Sequence, residues 1–186
     1  MRSRTRWLGA FCALALASHA PAAAAQSVAP DCALRAVDDS RRYALRELRG
    51  KVLLLDFWAS WCGTCVEAVP FLNDLDRDFR GRGLAVLGIN LDEDPRDALE
   101  FLEKYPADFA QAADADGDCP RSFGVETMPA SYLIDREGVI RYVYAGFRPG
   151  EAALLRARVS ELLAESAAAP QAPAREGDED ARANQR

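Results

Sequence analysis

The sequence has almost no histidine: among its 186 residues the only one is His19. His19 follows a short apolar segment close to the N-terminus, of the kind that is removed during export. The remainder of the chain would then have no imidazole. This excludes cysteine–histidine nucleophile pairs, histidine general bases, and zinc or copper sites with histidine ligands.

Positively charged residues are outnumbered by negatively charged ones. The chain has 23 lysine and arginine residues against 29 aspartate and glutamate residues, a net charge of −6. Proteins that bind nucleic acid or an anionic membrane concentrate basic residues on one surface. No such concentration is visible, so we expect no nucleic-acid partner. About 160 residues after the N-terminal segment are enough for one domain with its own core.

Long apolar runs are missing as well. The apolar core at residues 7–17 falls short of the roughly 20 residues that a membrane-spanning helix needs. Three arginines precede it and small residues follow it, which is the pattern of a secretory signal. We predict that residues 1–25 are this signal, cut after Ala25, and that the protein is periplasmic. The alternative is an uncleaved N-terminal anchor.

The cysteines are the most informative residues present. Cys12 would leave with the signal, and four of the five cysteines would remain, an even number in a compartment where disulfides persist. Cys62 and Cys65 are separated by Gly63 and Thr64 and directly follow the apolar run 52–58. Two cysteines with this spacing, between a buried strand and a helix, are typical of a dithiol redox site. A helix N-terminus stabilises a thiolate and lowers the pKa of its thiol.

Hydrophobic periodicity predicts an α/β domain with a mixed sheet at residues 26–165. The final stretch, residues 166–186, is rich in alanine, proline and charge, and we predict a disordered tail there. The predicted elements are a strand or hairpin within 29–50, strands at 51–58, 84–90, 130–134 and 139–144, a turn at 135–138, a helix from Thr64 with Pro70 inside it, a helix begun by Asp94 and Pro95, and a last helix at 150–165.

These residues resemble a known family. Residues 56–65 resemble the active-site segment of thioredoxin-fold proteins, and residues 127–129 resemble their cis-proline loop. Residues 91–113 resemble the insertion of the TlpA/ResA-type periplasmic branch. The resemblance covers residues 29–165 and implies a thioredoxin fold, with a mixed central sheet flanked by helices, an N-terminal strand extension and a central insertion. It implies a thiol:disulfide oxidoreductase, for which we expect no cofactor, no metal and a monomeric state.

The resemblance also implies roles for individual residues. Cys62 would be the attacking thiolate and Cys65, one turn further on, the resolving thiol. The alternatives are a structural disulfide or half of a zinc site, but zinc needs four ligands and no second pair of this spacing exists. Asp56, buried at the end of a strand, would have a raised pKa and accept the proton of Cys65. Alternatively, Asp56 only accepts hydrogen bonds from backbone groups.

The same likeness counts Pro129 among the catalytic residues and predicts that it is cis. Proline has no N–H donor, so its loop can lie against the cysteines. Among the substrate-binding residues, Met128 would pair with the substrate backbone. Trp61, Gly63 and Thr64 would also contact the partner, although Trp61 is equally consistent with packing at the edge of the site. Thioredoxins have proline at the position of Thr64, so the direction of electron transfer stays open.

Cys32 and Cys119 are the remaining cysteines, and both sit in sequences typical of loops. We predict that they form a structural disulfide between the entry segment and the loop before the cis-proline region. Two alternatives stay open at this point. They could be two buried free thiols, or a second redox pair that exchanges with Cys62 and Cys65.

The function hypotheses belong to three classes: a dithiol oxidoreductase acting in either direction, a copper(I) carrier and a peroxidase. The first is an exported reductase of cysteine pairs in periplasmic proteins, with apocytochrome c and copper-site assembly proteins as substrate classes and a membrane electron donor for re-reduction. A dithiol oxidant would use the same cysteines in the opposite direction. A copper(I) carrier would use them as soft ligands. A peroxidase of the peroxiredoxin type is disfavoured, because no threonine and arginine set precedes Cys62.

Overall fold

The computed structural model describes residues 27–168, with side chains to residue 165. The predicted signal at 1–25 and the tail beyond Ala168 lie outside these residues. Within residues 27–168, no helix is both long and apolar enough to cross a membrane. The strands are β1 Ala33–Ala36, β2 Arg42–Ala44, β3 Val52–Trp58, β4 Leu84–Asn90, β5 Ala110–Ala113, β6 Ala130–Ile134 and β7 Ile140–Ala145; the helices are α1 Cys65–Phe79, α2 Pro95–Lys104, α3 Asp118–Phe123 and α4 Ala152–Ala168.

One mixed sheet of seven strands has the order β2-β1-β5-β4-β3-β6-β7. The central strand β3 runs parallel to β4 and antiparallel to β6. All seven residues of β3 are buried, because helices cover both faces of the sheet. Leu53, Leu55 and Phe57 pack on the α3 side, whereas Val52 and Leu54 pack against α1 and α4. Asp56 alternates with Phe57 and therefore faces the α1 side.

The predicted mixed sheet is confirmed, and β4 and β6 have the predicted bounds. Pro95 begins α2, and the Asp94 side chain accepts a hydrogen bond from the Arg96 N–H, as expected of a helix cap. α1 is continuous from Cys65 through Pro70 to Phe79.

Two elements were not predicted. β5 lies inside the segment that sequence reasoning treated only as an insertion, because its Ala-Gln-Ala-Ala sequence has no β-branched residue. Its pairing with β4 and β1 makes it a strand. The expected loop around Cys119 is the short helix α3, so the loop prediction is wrong. Gly117 and Gly124, both in the left-handed conformation, bound this helix. α4 also continues to Ala168, three residues past the predicted end.

Candidate active site

Cys62 and Cys65 form a disulfide at the carboxyl end of β3. Cys62 lies in the turn after the strand, and Cys65 is the first residue of α1. The Cys65 N–H donates to the Cys62 carbonyl at 3.1 Å, and the Cys62 N–H donates to the Ala59 carbonyl at 3.1 Å. Cys62 is 6% exposed and Cys65 2% exposed. Cys62 is therefore the more accessible of the two, although both are nearly enclosed.

The start of α1 directs positive potential at this disulfide. The N–H groups of a first helical turn have no partner within the helix and form the positive end of its dipole. Thr64, the N-cap residue, makes no side-chain capping hydrogen bond. Its Oγ1 instead lies 3.7 Å from Cys62 Sγ. In the reduced protein, this hydroxyl is placed to donate to a Cys62 thiolate.

Asp56 is buried behind the cysteines. Its carboxylate accepts a hydrogen bond of 2.6 Å from the Ser131 hydroxyl. Burial raises the pKa of Asp56 from the usual 3.8 to about 7, and the Ser131 hydrogen bond acts in the lowering direction. Asp56 and Cys65 line one cavity of about 10 Å³, close to the room that a single water molecule needs. Asp56 thus borders the same small cavity as Cys65.

The peptide bond between Met128 and Pro129 is cis, as predicted. Pro129 is fully buried, and Met128 packs against the cluster of buried residues that contains both cysteines. A groove of about 790 Å³ opens in front of Cys62. It is lined by Trp61, Cys62, Gly63, Thr64, Leu91, Gly117, Pro120, Arg121, Val125, Glu126, Thr127 and Met128. Trp61 is 70% exposed at this groove.

Cys32 and Cys119 are joined by a second disulfide, with an S–S distance of 2.04 Å. Both residues are buried in a different cluster from Cys62 and Cys65. The bond links the residue before β1 to α3, whose Pro120 and Arg121 line the groove. The predicted pairing of these two cysteines is confirmed.

The family comparison agrees with this geometry. The model of the Redoxin family matches residues 23–159. The chain belongs to the Redoxin family. Its match to the thiol-disulfide oxidoreductase ResA of Geobacillus thermodenitrificans is 30% identical over 125 residues, 67% of this chain and 71% of that protein. Its match to ResA of Bacillus thuringiensis is 28% identical over 102 residues, 55% of this chain, and spans 59% of the length of that relative.

A solved structure carries the same fold. The crystal structure of a Chlorobium tepidum protein, described as the thiol:disulfide interchange protein DsbE, is 38% identical to this chain. The match covers 74% of this chain and 96% of that one, with a TM-score of 0.72. The fold of this Redoxin-family protein is therefore thioredoxin-like. Its relatives and structural neighbours are thiol-disulfide oxidoreductases of the thioredoxin type.

Sequence reasoning missed a buried polar cluster in this Redoxin-family site. The carboxylate of Asp92, only 3% exposed, accepts hydrogen bonds from the Ser60 N–H at 3.0 Å and the Ser60 hydroxyl at 3.0 Å. It also accepts one from the Asn90 amide at 2.7 Å. These bonds hold the turn that carries Cys62. The sequence signal that could have revealed this cluster was the presence of Asn90 and Asp92 at the end of β4. This strand runs parallel to β3 and ends beside it.

Gln111 and Ser131 were also missed. The Trp58 indole N–H donates to Gln111 Oε1 at 2.9 Å. Gln111 shares the cavity of Asp56 and Cys65. No sequence signal pointed to either residue, since Gln111 lies in the unpredicted β5 and Ser131 is one residue within an otherwise apolar strand.

Proposed function

We propose that this protein is a thiol:disulfide oxidoreductase that reduces disulfides of partner proteins through Cys62 and Cys65. The observation that carries the proposal is the position of this pair at the start of α1, between the buried Asp56 and an open groove. The names of the ResA relatives and of the DsbE neighbour agree with this activity.

The reaction begins in the reduced protein. The Cys62 thiolate attacks one sulfur of a substrate disulfide, forms a mixed disulfide, and releases one substrate thiolate, which takes a proton from solvent. The thiol of Cys65 then gives its proton to the Asp56 carboxylate, and the resulting Cys65 thiolate attacks Cys62 Sγ. The second substrate thiolate leaves. Two electrons have moved from the protein dithiol to the substrate disulfide.

Asp56 suits the role of proton acceptor. With a pKa of about 7, its carboxyl exchanges a proton with a thiol of ordinary pKa near 8.5 at a small free-energy difference. An acceptor with a pKa close to the working pH is the most effective general base.

The groove in front of Cys62 is the proposed binding site for an extended polypeptide. The backbone of Met128 would pair with the substrate beside the cis-Pro129 bond, and the exposed Trp61 would cover it. Gly63 and Thr64 line the same groove. We propose periplasmic cysteine-containing proteins as substrates, with apocytochrome c and copper-site assembly proteins as classes, and a membrane electron donor for re-reduction. The protein would act as a monomer after cleavage at Ala25.

A dithiol oxidant is the second candidate, and the contact between Thr64 Oγ1 and Cys62 Sγ favours it. A hydroxyl that stabilises the thiolate stabilises the reduced protein, which makes the disulfide more oxidising. The two candidates thus share their cysteines and differ in reduction potential.

The deciding experiment is a redox titration of Cys62 and Cys65 against glutathione, together with reduction of a disulfide-bonded peptide. A reduction potential near that of thioredoxin, about −270 mV, supports the reductase. A reduction potential near that of DsbA, about −120 mV, supports the oxidant. Cys65→Ser should trap the mixed disulfide on Cys62. A Cys62→Ser variant that keeps full activity would contradict both candidates.

A further inference from the structure

We propose that Gln111 is a positioning residue for proton exchange between Asp56 and solvent. Its amide holds a water-filled path from the small cavity lined by Asp56 and Cys65, the inner cavity, to a larger pocket at the surface beside α2. This inference rests on the proposed role of Asp56 as the acceptor of the Cys65 proton. Asp56 is 3% exposed, so its carboxyl can exchange a proton with solvent only along a path through the protein.

The sheet register brings Gln111 to Asp56 across two strands. Asp56 on β3 pairs with Gly88 on β4, and Gly88 pairs with Gln111 on β5. Directly paired residues lie on the same face of a sheet, so the three form one row. A Cβ atom at Gly88 would come within 2.4 Å of Gln111 Oε1. The Gln111 side chain therefore occupies the space that the missing side chain of Gly88 leaves beside Asp56.

Trp58 fixes the orientation of the Gln111 amide. An indole N–H can only donate, so the Gln111 atom at 2.9 Å from it is the oxygen. The Nε2 group is consequently the part of the amide that donates to a water molecule. The Trp58 ring is itself held against Phe101, with ring centroids 4.8 Å apart.

Two cavities meet at Gln111. The inner one, about 10 Å³, is lined by Asp56 and Cys65. The outer one, about 310 Å³, is lined by the exposed residues Asp38 and Ser40. The residues common to both linings are Leu102, Phe109 and Gln111. Since leucine and phenylalanine cannot hydrogen-bond to water, Gln111 is the polar side chain of this shared wall.

Few titratable groups face this path. In the reduced protein, Cys65 of α1 is the other titratable side chain of the inner cavity, and Asp38 and Tyr43 are the titratable side chains of the outer one. On the opposite side, Ser131 of β6 separates Asp56 from Tyr144 of β7, whose pKa burial raises. An amide does not ionise in this pH range. Gln111 therefore acts by orienting water, while Asp56 carries the proton.

The test compares Gln111→Met with wild type in steady-state reduction of a disulfide-bonded peptide, with excess dithiothreitol as reductant. We expect kcat to fall about tenfold with KM unchanged, because proton transfer is impaired and the groove is intact. The solvent deuterium isotope effect on kcat should increase. Glu100→Met, which places the same side chain at an exposed position of α2, should match wild type. Unchanged kcat and isotope effect in Gln111→Met would overturn the inference.

A second variant keeps the inference testable if Gln111→Met does not fold. Gly88→Ala adds the Cβ that collides with Gln111 Oε1 and should reproduce the loss of kcat and the larger isotope effect. Asp56→Asn separates the two proposals. If Asp56→Asn is impaired and both Gln111→Met and Gly88→Ala behave as wild type, only the Gln111 inference fails. If Asp56→Asn retains the wild-type rate and pH profile, the proton-acceptor role and the Gln111 inference fail together.

Discussion

At the scale of single residues, Asp56 combines opposing influences on one carboxyl group. Burial disfavours its charged form, whereas the hydroxyl of Ser131 donates a hydrogen bond that favours it. Burial is the larger effect and raises the pKa of Asp56 to about 7. Removing either influence should therefore move the pKa in a known direction.

Ser131→Ala should raise the pKa of Asp56 further. A hydrogen bond to a charged group contributes about 1.5–3 kcal/mol, which corresponds to roughly one to two pKa units. Carboxyl ¹³C NMR titration of the oxidised protein measures this, with Asp56→Asn to identify the signal. Ser122→Ala, which removes an exposed hydroxyl far from Asp56, is the control. A lower or unchanged pKa in Ser131→Ala would show that the hydrogen bond does not stabilise the carboxylate.

Stability should depend on pH through the same residue. Below pH 4, Asp56 is protonated in both the folded and the unfolded chain. Between pH 4 and 7 the unfolded chain releases this proton and the folded chain keeps it, so the free energy of unfolding falls as pH rises. The pKa of Asp56 is about 7 in the folded chain and 3.8 in the unfolded chain. This difference lowers the free energy of unfolding by about 4 kcal/mol above pH 7.

Asp56→Asn should therefore stabilise the oxidised protein at pH 8 by up to about 4 kcal/mol, with a smaller difference at pH 4. Urea denaturation at both pH values measures this. Asp97→Asn, at an exposed position of α2, serves as the control. A stability difference that grows toward low pH would contradict the sign of the effect.

Thr64→Val should make the reduction potential of the Cys62–Cys65 pair more negative. The substitution keeps the shape of the side chain and removes the hydroxyl at 3.7 Å from Cys62 Sγ. Losing one weak hydrogen bond to the thiolate corresponds to about 10–20 mV. Glutathione titration gives the potential, and Thr64→Ser, which restores the hydroxyl, should return it to the wild-type value. A shift shared by both variants would assign the effect to packing instead.

At the scale of elements, α3 depends on its attachments. The helix has six residues, too few to be stable alone. Besides the packing of Phe123, the contacts that hold it include the bond to Cys32, the hydrogen bond from the Cys119 N–H to Asp114 at 2.7 Å, and the hydrogen bond from the Tyr132 hydroxyl to the Phe123 carbonyl at 2.9 Å. Since α3 forms one wall of the groove, these contacts connect fold stability with the proposed substrate-binding site.

The double variant Cys32→Ala/Cys119→Ala should lose roughly 4–5 kcal/mol of stability, because the bond closes a loop with a sequence separation of 87. The KM for a peptide disulfide should rise as the groove wall loosens. The potential of Cys62 and Cys65 should stay at the wild-type value, because those residues belong to another cluster. Urea denaturation, peptide kinetics and glutathione titration test the three statements. A changed potential would indicate exchange between the two pairs.

At the scale of the whole molecule, the sheet gathers the site from distant parts of the chain. Cys62 follows β3, Asp92 follows β4, and the cis-Pro129 bond precedes β6. Parallel pairing of β3 with β4 places their carboxyl ends side by side, and β6 enters antiparallel at the same edge. The Cys62–Cys65 disulfide thus separates the groove, which Cys62 lines, from the inner cavity, which Cys65 lines.

Much of this arrangement was predictable because its signals are local. The apolar run before Cys62, the proline at the start of α2 and the turn between β6 and β7 each act over a few residues. The cis-proline loop and the pairing of Cys32 with Cys119 followed from a family pattern, or from counting cysteines. The short β5 and α3 were missed because tertiary contacts, not propensity, stabilise them.

By itself, the sequence determined the dithiol, the order of the main elements and the absence of histidine chemistry outside the first 25 residues. The tertiary structure alone decided which polar side chains surround Asp56. Pairing across the sheet brings Ser131 within hydrogen-bond distance of Asp56 and places Gln111 in the lining of the same cavity. Register between strands is a non-local property, set by packing of entire faces, so no short stretch of sequence records it. The surroundings that set the pKa of Asp56, and the wall between cavity and solvent, exist only once the sheet has formed.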